Sequence, residues 1–147
     1  MADLHIEDFY KDVALILLRL YAQFPRPQIL FVDDICKGEE ADEFGLPSAR
    51  HLACFSAMVW LGEQDYLRSA GAIRQEALDQ AVLTQKGFLR LSSRSTLPPL
   101  GTLPAQADLP AALIEESMTT IAQLRRSLAS NSSRLLGQCV HELLSTA

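Results

Sequence analysis

Between Ser92 and Pro110 the chain carries four prolines, Pro98, Pro99, Pro104 and Pro110, separated mainly by serine, threonine, glycine and small apolar residues. Proline lacks an amide proton and its ring collides with the preceding helical turn, so no helix or central strand runs through such a stretch. The chain is therefore read as two structured blocks and a connector. Residues 1–94 form the first block, 95–111 a proline-rich linker, and 112–147 a pair of C-terminal helices that pack on the first block or dimerise.

Within the first block, hydrophobic spacing separates the elements. Ile6, Phe9, Val13, Ile16, Leu17 and Leu20 recur at three- and four-residue intervals and predict a helix from Ile6 to Phe24. Asp3 is a candidate cap, and Pro25 and Pro27 end the helix. Gln28 to Val32 is a β-branched and aromatic run suited to one strand or the start of a short helix, and Asp33-Asp34 then caps or opens a short helix. The acidic, glycine-bounded segment Lys37–Gly45 reads as a loop. Pro47 precedes a helix from Ser48 to Gln64, whose face is read as Leu52, Phe55, Val59 and Gly62, widened by Met58 and Leu61. Trp60 lies off that face and needs a partner of its own. Tyr66–Arg68 and Gln80–Thr84 are extended pieces of a hairpin, with Ser69 to Gln80 between them. Thr84 is placed to cap a short helix from Gln85 to Leu91, which Gly87 weakens.

The net charge of −5 is unevenly distributed. Residues 1–43 hold ten acids against four bases, whereas residues 44–94 hold six bases against four acids, so only the middle segment has the sign that suits a polyanion. The acidic cluster Glu39, Glu40, Asp42 and Glu43 would repel a phosphate backbone passing nearby. Cys36, Cys54 and Cys139 are odd in number and widely spaced, which argues against a disulfide framework and for a reducing compartment. Each reads as a small buried apolar residue. The N-terminus lacks the pattern of a signal peptide and the longest apolar run, Val13 to Leu18, is far below the roughly 20 residues of a membrane span, so a cytoplasmic location without membrane contact is expected.

Two phrases carry a family likeness. Val59-Trp-Leu-Gly-Glu-Gln-Asp-Tyr-Leu-Arg68 leads a helix into an extended segment, and Ala81-Val-Leu-Thr-Gln-Lys-Gly-Phe88 returns into a helix. With the element order around them, they resemble bacterial winged-helix proteins, regulators of the MarR and PadR kind. Leu83-Thr84-Gln85-Lys86-Gly87 matches that family's returning phrase, while Asp65 stands where the family commonly has glycine. The turn asks for left-handed dihedrals, which glycine or an Asn/Asp-type residue tolerates. The resemblance implies a mainly α fold with a small β-hairpin, a winged helix-turn-helix followed by a C-terminal helical pair.

It also implies double-stranded DNA as the partner, with the helix before the hairpin in the major groove and the wing on the backbone. Carried over, the DNA-contacting residues are Ser48, Arg50 and His51 near the start of that helix, Arg68 and Arg74 on the wing, and Lys86 and Arg90 after it. Lys86, Arg90 and Arg94 share one helical face if the helix runs that far. Against this stands the helix itself, apolar nearly all round, a pattern that suits burial better than base reading.

Motifs of hydrolases, nucleotide-binding loops, zincins and dithiol sites do not occur, and His51, Cys54 and Cys36 lack a fourth ligand, so no enzyme activity, metal or cofactor is expected. His5 and His141 sit near the termini without an obvious partner. In the last block, Leu113/Ile114, Met118, Ile121, Leu124 and Leu128 predict one amphipathic helix, and Leu135, Leu136, Val140, Leu143 and Leu144 another, with Asn131–Ser133 between them. Ile114, Ile121, Leu128 and Leu135 recur every seven residues, a partial heptad pattern that suits a homodimer. The leading expectation is thus a dimeric winged-helix DNA-binding protein acting in transcription regulation. The alternative keeps the scaffold as a protein–protein interaction module that does not bind DNA.

Overall fold

A computed structural model describes residues 4–36, 48–96 and 116–145. Asp3, the Lys37–Gly45 segment with its acidic cluster, Pro47, the four linker prolines and Leu113/Ile114 lie outside the described residues. The fold is mainly helical with a small antiparallel sheet of four strands, in two compact units, Met1–Phe88 and Leu89–Ala147. Among the described residues no helix is long and apolar enough to cross a membrane.

The first unit opens with α1 (Leu4–Gln23), which buries Val13, Ile16, Leu17 and Leu20 of the expected stripe. Chain reversal at Pro25 and Pro27 leads into β1 (Gln28–Phe31), and α2 (Val32–Ile35) follows at once with Asp33 and Asp34 in its first turn. Helix α3 (Ala49–Glu63) starts on Ser48, whose hydroxyl accepts from His51 N. Its buried face differs from the one expected. Cys54, Ala57, Met58 and Leu61 are buried, whereas Leu52, Phe55 and Val59 are only half covered. A helix apolar on all sides offers periodicity no way to choose a face, and the choice is made by packing. Trp60 finds its partner in Phe9 of α1, edge to face with centroids 5.4 Å apart.

The hairpin is tighter than the sequence suggested. The stretch read as a twelve-residue connection contains a strand of its own, so that β2 (Leu67–Arg68), β3 (Gly71–Ile73) and β4 (Ala77–Leu83) leave only Arg74–Glu76 at the tip. β4 is central: β1 pairs along one side of it and β2 and β3 along the other, all antiparallel. Pairing of β1 with β4 shifts between Gln28 and Leu30, and Gln80 with its φ of 49° is the extra residue of that bulge.

The exit of α3 and the entry of α4 (Gln85–Ser92) form one clamp. Asp65 adopts φ 66°, Tyr66 N donates to Leu61 O (2.9 Å) and Asp65 N to Gly62 O (3.1 Å), which is the Schellman ending of a helix with aspartate in the left-handed position. The Thr84 hydroxyl donates to Asp65 O and accepts from Gly87 N at 3.0 Å, capping α4. Lys86 donates to Gln64 O at 3.0 Å and lies over the Tyr66 ring. Gly87 faces the Tyr66 carbonyl so closely that a Cβ there would stand 2.1 Å from the oxygen. The phrase Leu-Thr-Gln-Lys-Gly therefore works as a structural latch. Tyr21 and Phe24 of the first unit stack on Phe88 just beyond it.

In the second unit, α4 ends at Ser92, so Arg94 leaves the helix, pairs with Thr119 in an isolated bridge, and does not continue a Lys86–Arg90 stripe. Glu116 and Ser117 are helical, but the expected helix is interrupted at Met118, which falls in a turn, and helix α5 (Thr120–Ala129) starts afresh on Thr119, whose hydroxyl accepts from Ala122 N. After Asn131 (φ 56°), α6 (Ser133–Ser145) turns back to pack Leu136, Cys139, Val140 and Leu143 beside Ile121 and Leu124 of α5. The break at Asn131 divides the heptad pattern between two helices, so Ile121, Leu128 and Leu135 do not form one seam. Glu142 fixes the start of the proline-rich segment, accepting from the Ser95 hydroxyl (2.6 Å), Thr96 N (2.8 Å) and the Thr96 hydroxyl.

Gly87→Ala separates the latch from simple helix propensity. Alanine is the better helix former by about 1 kcal/mol, yet the clash with Tyr66 O is expected to lower stability by about 1–3 kcal/mol in urea unfolding. A stabilised variant would show that α4 does not approach Tyr66 this closely.

Candidate functional site

The residues expected to meet DNA cluster at two ends of α3, and the fold has used most of them. At the N-terminal end, Arg50 turns inward to α1. Its guanidinium grips Asp12 with both Nη atoms, at 2.7 Å and 2.5 Å, and its Nε stands 3.6 Å from Asp8. The Asp12 side chain is 2% exposed and that of Arg50 25%, so this is a bidentate ion pair largely withdrawn from water. The hydrogen bond to Asp12 holds the guanidinium pKa above its ordinary value despite the burial. A fork engaged in this way has no free edge for guanine or phosphate.

His51, one residue on, reaches the hairpin tip. Its Nε2 lies 2.7 Å from Gln75 O, and since a carbonyl only accepts, Nε2 carries the proton. Its Nδ1 is 3.9 Å from Asp33 of α2. The start of α3 is thereby tied to α1 by Arg50 and to the hairpin by His51, with Ser48 occupied as the cap. Three carboxylates, Asp8, Asp12 and Asp34, and two cations, Lys11 and Arg50, line a cavity of about 410 Å³ that also includes Cys36.

Of the remaining candidates, Arg68 and Arg74 are exposed on β2 and at the hairpin tip. Lys86 is bound to the α3 C-terminal end through Gln64 O. Fifteen residues of α3 lie between the Arg50 and Lys86 ends, about 22 Å of helix, so these two cations do not form one patch. Arg90, on α4 in the second unit, is half-buried with Nη1 enclosed and unpartnered. Between α3 and the hairpin runs an apolar groove of about 480 Å³, floored by Met58, Val59, Gly62, Leu67, Ala72 and Leu78 and edged by Glu63 and Arg68.

Asp12 was the residue most visibly missed. It falls three after Phe9 and four before Ile16, on the apolar stripe itself, and a carboxylate there requires a buried partner. Gln75, which the sequence places on the wing with Arg68 and Arg74, contributes its backbone carbonyl, a role that residue type does not announce.

All three cysteines are free and buried. Cys54 of α3 hydrogen-bonds Cys36 at the end of α2, and burial pushes its thiol up to about 12, with Cys36 and Cys139 raised for the same reason. Such thiols are poor nucleophiles and serve as packing. Among the described residues, no group of three or more His, Cys, Asp or Glu is arranged to hold a metal.

The Cys54 thiol imposes a pH dependence. The unfolded chain ionises near the ordinary 9.0 and the native thiol only near 12, so both states are protonated below pH 9 and stability is lost as pH rises from about 9 to about 12. Urea unfolding between pH 8 and 11 is expected to show this decline, with a shallower slope in Cys54→Ala. An equal slope in the variant would mean that Cys54 ionises as freely in the native protein as in the unfolded chain.

Compared with family models, curated proteins and solved structures, the chain matches none of them.

Proposed function

We propose that this chain is a protein–protein interaction module built on a winged-helix scaffold and that it does not bind DNA through α3. The scaffold reading is supported by the order α1-β1-α2-α3-hairpin and by β4 lying between β1 and the β2/β3 edge. The observation that carries the functional reading is the Arg50–Asp12 pair. The one arginine at the start of the groove-type helix is neutralised within the fold, with Asp8 beside it and Asp33 beside the neighbouring His51. Lys86 is likewise spent on Gln64 O. A basic face joining Arg50, Arg68, Arg74 and Lys86, which DNA binding by this scaffold calls for, reduces to the two hairpin arginines.

The groove between α3 and the hairpin suits a partner's apolar side chains better than a phosphate backbone, since its walls are Met58, Val59, Leu67 and Leu78. A cytoplasmic setting belongs to the same proposal, supported by three free cysteines in a chain this small.

The test is fluorescence anisotropy of a mixed-sequence duplex of roughly 30 base pairs at low and moderate salt, where phosphate contacts announce themselves by steep salt dependence. No saturable binding is expected at either salt. Binding that weakens steeply with salt and drops in Arg68→Ala/Arg74→Ala would overturn the reading and assign the hairpin to DNA.

A further inference from the structure

Among the described residues β1 pairs only with β4, so its other side is an edge. Its burial alternates so that Leu30 is buried while Ile29 and Phe31 are each 45% exposed on the outer face of the sheet. The same two residues own the free backbone edge. Val32 N donates to Glu76 O, and Leu30 and Gln28 face Leu78 and Ala81. In an antiparallel ladder the alternate residues, Ile29 and Phe31, therefore direct their N–H and C=O groups away from β4. The strand Gln28-Ile-Leu-Phe31 contains no charge, no proline and no inward-turned lysine of the kind that blunts natural edges.

The ends of the strand are oppositely charged. Arg26, exposed, precedes it by two residues, and Asp33, with its side chain 91% exposed, follows it by two. Antiparallel pairing of this strand with a copy of itself places the basic end of each beside the acidic end of the other. Register is also determined. A two-fold axis at Leu30 sets Ile29 opposite Phe31 of the second copy in both directions and completes four backbone hydrogen bonds. Moving the axis toward the N-terminus brings Pro27, which has no N–H, into the ladder.

On the outer face, Phe31, Ala77 and Ile73 already form one cross-strand row, with Ala77 buried and Ile73 39% exposed. Ile29 of the second copy extends that row across the axis.

We infer that β1 is a homotypic docking edge: two copies of this chain join their sheets through antiparallel β1–β1 pairing centred on Leu30. The interface uses neither α3 nor the hairpin tip, and it stands whether or not the chain binds DNA. An interface of one short strand is small, so the dimer is weak and concentration-dependent.

Analytical ultracentrifugation of the full chain over a wide concentration range provides the test. The mass is expected to rise from 16.2 kDa toward twice that value. Phe31→Lys, which keeps the strand backbone and alters a half-exposed side chain, and Ile29→Pro, which removes an outward N–H, are each expected to weaken association at least tenfold. Circular dichroism reports whether each variant keeps its fold, and Phe31→Lys decides if Ile29→Pro does not. Arg26→Glu is expected to weaken the dimer and Arg26→Glu/Asp33→Arg to restore it. A chain that stays monomeric throughout would overturn the inference. So would a dimer that Phe31→Lys leaves intact, since that assigns association to another surface, or a charge exchange that fails to restore it.

Discussion

The ion pair between Arg50 and Asp12 is the constraint around which the first unit is organised. A carboxylate 2% exposed on the apolar face of α1 is tolerable only with a cation on both of its oxygens, and α3 supplies that cation from its first turn. The pairing sets how α3 lies along α1. It thereby determines that Cys54, Ala57, Met58 and Leu61 face the core, and that Phe9 meets Trp60. With the start of α3 anchored there, His51 is in position to hold the Gln75 carbonyl, which draws the hairpin tip back onto the helix.

The opposite end of α3 is secured by a different chemistry. The left-handed Asp65, the threonine cap of α4, the Lys86 bond to Gln64 O and the glycine that admits the Tyr66 carbonyl lie within a few residues of one another. The two anchors together engage Ser48, Arg50, His51 and Lys86 within the fold. The run Leu83-Thr-Gln-Lys-Gly87 thus has a structural role in helix exit and entry, whatever the surface binds.

What could be read from the sequence was what local chemistry dictates. The span of α1 followed from a clear apolar period and two prolines; the Thr84 cap and the left-handed Asp65 followed from residue type at a turn, whereas Ser48, expected inside α3, turned out to be its cap. What escaped was decided at a distance. β3 is three residues long and followed by a polar tip, so it resembles loop until β4 pairs with it. The buried face of α3 is set by α1 and the sheet, because every side of the helix is apolar. The interruption before α5 escaped because the apolar period runs on through Met118 and masks the cap at Thr119. In the candidate site, Arg50 was singled out for its chemistry, and its engagement with Asp12 reverses what that chemistry is for.

The most direct test of this account is a double-mutant cycle on Asp12→Ala and Arg50→Ala, read by urea unfolding. If the pair is the organising contact, each single change costs about 3 kcal/mol or more, because either one strands a charge in the fold, and the coupling between them is about 2 kcal/mol. Additive effects, with coupling below about 0.5 kcal/mol, would mean that Arg50 is not committed to Asp12 and remains available to an outside anion.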